Sequence, residues 1–311
     1  TMAEAPALFS RETALQANNL LLVVTTVTVL TGTLYPLVIE AVNGARISVG
    51  PPFFEASVGP LLGLMLFFLP VAPLLAWKQA SFSKIWRQIW PMLMITAVLL
   101  AIVLMLISGM NAFAIATIGL GIWVMTGVAA DLFAVMGLWR QHPTGAWRRL
   151  RGIPLPRLGM NLAHLGVAVF TIGVAGVSFF DDEVIKRLQI GDHMTSGDAQ
   201  FTLTSVAPVI GPNYNATAAT VIKTAANGES SEFISEIRTF PVARSQTTEA
   251  AIQTGFLGDT YVVFGGGTPE EGFVIHIYEK PFITWIWGGA GLMVIGGIIT
   301  MLGHPTRRQE A

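Results

Sequence analysis

The chain has 311 residues, 52% of them hydrophobic and 12% charged, with a mean hydropathy of +0.61. A soluble domain carries about 25% charged residues, so half that share points to a membrane protein if the apolar residues fall in long blocks. The net charge of -1 leaves no electrostatic footprint for nucleic acid, and the absence of cysteine excludes disulfides, Cys-ligated zinc, iron–sulfur clusters and a CxxCH haem-attachment site on this chain.

No signal peptide with a cleavage site opens the sequence. It starts Thr1-Met2, as expected of part of a longer protein or of a split-gene product. Six apolar blocks then follow, at about 19–40, 57–77, 89–108, 113–137, 159–180 and 280–302. Each reaches the roughly 20 residues a membrane helix needs. Lys and Arg cluster in alternate loops: Lys78, Lys84 and Arg87 after the second block, Arg140, Arg148, Arg149, Arg151 and Arg157 after the fourth, and Arg307 and Arg308 in the tail. The other loops hold Arg46 alone or no cation. By the positive-inside rule both termini are then cytoplasmic and residues 181–279 lie outside, in the periplasm of a Gram-negative cell.

The expected fold is therefore an α-helical integral membrane protein of about six transmembrane helices with an inserted β-rich domain. Residues 1–180 form a membrane domain with five helices, 181–279 a periplasmic β-domain, and 280–311 the last helix and tail. Within 181–279, Phe201 to Val206 alternates apolar and polar, and so in part does Phe273 to Tyr278. Thr220-Val221-Ile222 and Tyr261-Val262-Val263-Phe264 are β-branched or aromatic runs. Gly191-Asp192, Gly211-Pro212-Asn213, Asn227-Gly228 and Gly265-Gly266-Gly267 read as turns. Thr247 to Phe256 reads as a helical turn set, and the whole fits a small antiparallel domain such as an open barrel.

Among the five histidines, His142, His193, His276 and His304 fall in loops or the outer domain. His164 falls inside the fifth block, roughly 8 Å in from its cytoplasmic end at 1.5 Å per residue. An intramembrane titratable group is costly, and function is the default reading. Met160, Asn161, Ala168 and Thr171 share its face. Small neighbours leave room for a flat ligand such as haem; equally, Asn161 and His164 can form a helix–helix hydrogen bond with the small residues allowing close packing. Asp131, the other buried acid, reads as wet or paired with an arginine such as Arg140. The Ile47 to Phe54 stretch is a stiff turn carrying Phe53 and Phe54. Trp285 and Trp287 on one side, and Trp77, Trp86, Trp90, Trp139 and Trp147 on the other, read as interfacial anchors. No HExxH, GxSxG, Walker-type loop or strand-linked GxGxxG occurs, so no self-contained catalytic site is visible.

Several stretches together resemble the cytochrome c-type biogenesis family CcmF: Ser10-Arg11-Glu12 with Asn18-Asn19-Leu20-Leu21, Gly32-Thr33-Leu34-Tyr35-Pro36-Leu37, and Ile47-Ser48-Val49-Gly50-Pro51-Pro52-Phe53-Phe54. Gly159-Met160 with His164-Leu165-Gly166, Gly211-Pro212-Asn213-Tyr214, Thr248-Glu249-Ala250-Ala251-Ile252, and Lys280-Pro281-Phe282 with Trp285-Ile286-Trp287 complete the set. The resemblance covers the family's C-terminal half; the N-terminal half, with its tryptophan-rich haem-binding segment, is not in this sequence. It implies a haem b held in the membrane by two histidines, one from each half, with His164 matching the second. His193 and His276 match no haem ligand and are read as structural. Where the family carries a Pro-Glu-Arg-Arg-like stretch, this chain has Ser235-Glu236-Ile237-Arg238, which puts a partner contact there in doubt. The implied function is assistance in attaching haem to apocytochrome c. The implied partners are the missing half, the thiol-handling subunits CcmH and CcmI, the haem chaperone CcmE and apocytochrome c. A haem b on His164 would keep the transferred haem iron reduced. The alternatives are a transporter or channel subunit, which the prolines Pro36, Pro60, Pro70 and Pro73 would suit, and a cofactor-free membrane scaffold.

Overall fold

A computed structural model of the chain describes residues 10–77, 81–137 and 145–303. Lys78, Trp139, Arg140, His142, His304, Arg307 and Arg308 lie outside the described residues. The chain divides into two compact units, one of residues 1–171 and 288–311 and the other Ile172–Trp287.

The first unit is helical. Helix α1 spans Arg11–Asn43, with Ser10 as N-cap accepting from the Thr13 amide at 3.2 Å. Next come α2 (Pro51–Ser57), α3 (Gly59–Phe68) and a single 3-10 turn at Ala72–Leu74. Together they are a bent stretch, kinked by 40° between Pro51–Ser57 and Gly59–Leu74. Pro51, Pro60 and Pro73 each sit in the first turn of their segment, where a missing N–H costs nothing. Then follow α4 (Phe82–Leu106), α5 (Ala112–Met136), α6 (Ala146–Arg151), α7 (Leu155–Phe179) and α8 (Ile283–Leu302). Five of these helices are long and apolar enough to cross a membrane, six if the bent stretch counts as one span.

The stiff Phe53-Phe54 stretch is helix rather than turn. The two rings pack edge to face at 5.2 Å, and a methyl at Gly32 of α1 would stand 2.6 Å from Phe53 and 3.0 Å from Phe54. Trp123 of α5 is buried, and its indole N–H donates to the Phe67 carbonyl of α3 at 2.8 Å. Thr96 and Thr126 hydrogen-bond across α4 and α5 at 2.9 Å. Arg149 of α6 donates to the Met136 carbonyl at 2.7 Å, capping the C-terminus of α5.

Helices α7 and α8 meet through glycine. A Cβ on Gly159 would lie 2.4 Å from the Gly296 carbonyl, one on Gly166 2.6 Å from that of Gly289, and one on Gly296 2.5 Å from the Ala163 amide. Only glycine permits that approach. The spacing is seven residues on both helices, which is the repeat of a left-handed crossing.

The second unit is a β-sandwich. Strands β1 (Asp182–Leu188), β2 (His193–Ser196), β3 (Ala199–Ile210), β4 (Asn215–Thr224), β5 (Ser230–Phe240), β6 (Ser245–Glu249), β7 (Ala251–Thr254), β8 (Gly258–Thr268) and β9 (Gly272–Pro281) form two antiparallel sheets. Their orders are β1-β9-β8-β7 and β2-β3-β4-β5-β6. The inward residues alternate along each strand, as in Phe201 and Leu203 of β3 or Phe273, Ile275 and Ile277 of β9. They meet Val221, Phe233, Val262 and Phe264 in one core. The buried Ser235 hydroxyl joins the sheets, donating to the Glu249 carbonyl at 2.7 Å and accepting from the Phe264 amide at 2.9 Å.

Three expectations change here. The domain is a sandwich of two separate sheets, not an open barrel. The helical turn set at Thr247 to Phe256 is instead β6 and β7, where the chain leaves the β5 edge of one sheet for the β8 edge of the other. The Gly265-Gly266-Gly267 triplet is a bulge within β8 rather than a turn, with a register shift between Phe264 and Gly267. Gly267 has φ +140°, and a Cβ there would lie 2.2 Å from the Gly272 carbonyl.

Candidate functional site

Asn111 starts α5 by accepting from the Ala114 amide at 2.8 Å, and Gly137 ends it in the left-handed conformation with φ 65°. Asp131 therefore lies in the second-last turn of α5. Pro156 sits in the first turn of α7, and Arg157, Asn161 and His164 follow at i+1, i+5 and i+8. At about 100° per residue, Arg157, Asn161 and His164 share one side of α7, opposite the glycine side that meets α8.

That side is wired to Asp131. Arg157 donates to Asp131 through Nε at 3.0 Å and Nη2 at 2.5 Å, and Asn161 Nδ2 donates to the same carboxylate at 2.7 Å and to the Arg157 carbonyl at 3.1 Å. A fork-to-carboxylate contact of this kind is strong and directional. Asp131 is thus paired, but with Arg157, which lies in α7 and not in the preceding loop; Arg140 is outside the described residues. Asn161 does make the helix–helix hydrogen bond expected of it, to Asp131 and not to His164.

The imidazole of His164 makes no hydrogen bond among the described residues, so its nitrogens are not committed. It lines a small cavity of about 20 Å³ with Pro70, Pro73, Met92, Gly127, Asp131 and Asn161. That is room for about one water, far below the roughly 300 Å³ of a cofactor pocket. Ala168 and Ala175 are fully buried, so the small residues on this side are filled by neighbours. The donor chemistry fits an axial haem ligand; the described residues do not supply the enclosure for a porphyrin.

Elsewhere, His193 begins β2 with its side chain exposed, its carbonyl accepting from Lys186 Nζ at 3.2 Å. His276 of β9 is 3.4 Å from Glu183 of β1 and 3.4 Å from the Tyr278 hydroxyl. The Tyr278 hydroxyl, then His276, hold the Glu183 carboxyl below the usual range, and Glu183 in turn pushes the Tyr278 hydroxyl up. Glu236 pairs with Arg238 at 2.8 Å, and Arg238 lies 4.6 Å over the Tyr214 ring. Among the described residues no group of three or more His, Cys, Asp or Glu side chains is placed to hold a metal ion.

Comparison with known proteins bears on this arrangement. Residues 179–281 match the family described as CcmF C-terminal beta-sandwich. The cytochrome c-type biogenesis protein CycK of Rhizobium meliloti is 35% identical over 308 residues, 97% of this chain and 46% of that protein. The chain is related to the C-terminal half of CcmF-family proteins. CcmF of Pseudomonas fluorescens is 33% identical over 96% of the chain and 45% of its own length. CcmF of Escherichia coli is 32% identical over 97% and 45%. A solved structure titled Cytochrome c Heme Lyase CcmF superposes with a TM-score of 0.73 at 21% identity, over 95% of this chain and 46% of that one, which shows a common fold. The chain spans about half the length of the curated relatives it matches. The described helices that are long and apolar enough to cross a membrane, together with the β-sandwich, agree with that likeness.

Proposed function

We propose that this chain is the C-terminal part of a membrane haem-handling subunit of cytochrome c maturation, in which His164 supplies one axial ligand to a haem b. The observation that carries this is an uncommitted imidazole inside the helical unit, held on a helix whose rotation is fixed on both sides. Arg157 and Asn161 lock α7 to Asp131 of α5, and the glycine side locks it to α8, so the imidazole has one direction in which to point. Such fixing of a ligand's orientation by its surroundings is what a metal site requires. When bound, the haem would relay an electron from an external reductant and so help keep the iron of a transferred haem reduced. The cavity at His164 is too small for the macrocycle, so a wall and the opposite ligand come from outside this chain, from the half of the relatives it does not span.

The same reading puts Lys84, Arg87, Arg148, Arg149, Arg151 and Arg157 on the cytoplasmic side and the β-sandwich in the periplasm, by the positive-inside rule. There the sandwich would meet the apocytochrome, the chaperone CcmE and the thiol-handling subunits CcmH and CcmI. The test is the reduced-minus-oxidised absorption spectrum of the detergent-purified complete protein, native against His164→Ala. Loss or displacement of a b-type signal is the expected result. An identical signal in both would move the ligand elsewhere, and no haem in either would turn the assignment to a scaffold.

A further inference from the structure

The turn between β7 and β8, Gly255-Phe256-Leu257-Gly258, exposes two large apolar side chains: Phe256 is 75% and Leu257 67% accessible. Apolar turn tips of a water-exposed domain have a cost that polar residues would avoid. This tip is also built into the start of a membrane span. The Leu257 carbonyl accepts from the Phe282 amide at 2.8 Å, just before α8 begins at Ile283. Phe282 itself has φ +58°, a conformation that non-glycine residues keep only where neighbours impose it. The Phe256 carbonyl accepts from the Trp285 indole at 3.0 Å, and the Gly255 carbonyl from the Thr284 hydroxyl at 2.8 Å. The Gly258 carbonyl accepts from the Gly255 amide at 3.0 Å.

All four carbonyls of the tip are thus satisfied by the protein, and its four residues carry no charge. Occupied carbonyls lower the cost of approaching lipid, and the Phe256 and Leu257 amides, which make no hydrogen bond among the described residues, keep the tip at the depth where water and headgroups still reach it. The rings of Phe256, Trp285 and Phe282 pack in sequence, at 5.7 Å and 5.0 Å between centroids, and Trp287 stands 75% exposed beside them in chain order. Tryptophan at the first turn of a span marks the membrane–water interface, and the tip is hydrogen-bonded to that same turn.

We infer that the β7–β8 turn is a membrane anchor: Phe256 and Leu257 enter the interfacial layer of the bilayer at the level of Trp285. The partner surface is lipid, and the attraction is burial of apolar area at the headgroup boundary.

This chain has no cysteine, so once any cysteine in the rest of the protein is replaced, Leu257→Cys is a unique labelling site; its side chain is exposed and the hydrogen bond there uses only the carbonyl. The complete protein carrying Leu257→Cys is labelled with an environment-sensitive fluorophore and reconstituted in phosphatidylcholine vesicles. Val242→Cys, on the turn between β5 and β6 and 97% exposed, is the aqueous reference. Emission at position 257 should shift to the blue, be quenched by a nitroxide lipid labelled near the headgroup and be protected from iodide, while position 242 shows the reverse. An aqueous signal at 257 would overturn the inference. So would a blue-shifted signal that nitroxide lipid does not quench, since a protein surface would then cover the tip.

Discussion

The two units bury apolar side chains against different solvents. In the sandwich, Phe201, Leu203, Val221, Val262, Ile275 and Ile277 are wholly withdrawn, and the outward positions are mostly polar, with Ile185, Ile234 and Ile252 among the exceptions. In the helical unit, only 6% of the apolar window of α1 and 11% of those of α4 and α8 are buried, against 44% for α5 and 33% for α7. The exposed remainder is mostly Leu, Val, Ile, Phe, Met and Trp, as lipid demands. The buried polar side chains of the spans lie on the two most enclosed helices, Thr126 on α5 and Asn161 and Thr171 on α7, with Asp131 and His164 half-buried beside them, while Thr26, Thr28 and Thr33 on exposed α1 donate to carbonyls of their own helix. Burial in the sandwich therefore marks stability, whereas enclosure in the helical unit marks where a polar group can be kept.

The comparison can be broken in three places. Phe201→Ala empties the centre of the sandwich and should cost about 3–5 kcal/mol; calorimetry of the detergent-purified protein should show one transition moved and the helical one in place. A common shift would mean that the two units unfold as one. Gly296→Val should cost about 1–3 kcal/mol or more, the range for forced overpacking, because its side chain would strike the backbone of Ala163 and Gly159. Gly297→Ala, where an added methyl meets nothing, should be neutral or slightly stabilising by helix propensity. Equal melting of the two variants would show that the close approach of α7 and α8 does not carry the packing. Asp131→Ala should have the smallest effect of the three destabilising changes, about 1–2 kcal/mol, since the Arg157 end of the pair is partly solvated. Its mark should instead appear as a changed haem spectrum in the complete protein, through loss of the hold on α7. A stability loss with an unaltered spectrum would leave the cluster a purely structural clasp.

Much of this arrangement is legible in the sequence, and the failures have physical causes. Hydropathy places the blocks at 113–137, 159–180 and 280–302 within four residues of α5, α7 and α8, because lipid-facing helices are apolar on all sides. It misses the first turns of α4, where Lys84, Trp86 and Arg87 make the helix amphipathic. It reads 57–77 as one span, where proline placement divides it into segments. In the sandwich, alternation identifies β3 and β9, but β6 and β7 are short edge strands whose pairing partners lie far off in sequence. The His164 site is legible as a residue and not as a network. Composition cannot tell that Arg157, four residues before Asn161, belongs to the span and reaches a carboxylate 26 positions upstream. Nor does it show that the small residues near His164 serve packing.

The seven-residue glycine spacing of α7 constrains the length of that helix. Adding one residue between Gly159 and His164 would swing the imidazole by about 100°, out of the space beside Asp131 and toward lipid or α8. Only a whole heptad would restore both contacts, and a heptad adds about 10 Å, a third of the hydrocarbon thickness. Insertion and deletion are therefore both closed to this segment: its residues can be exchanged, but their number cannot drift.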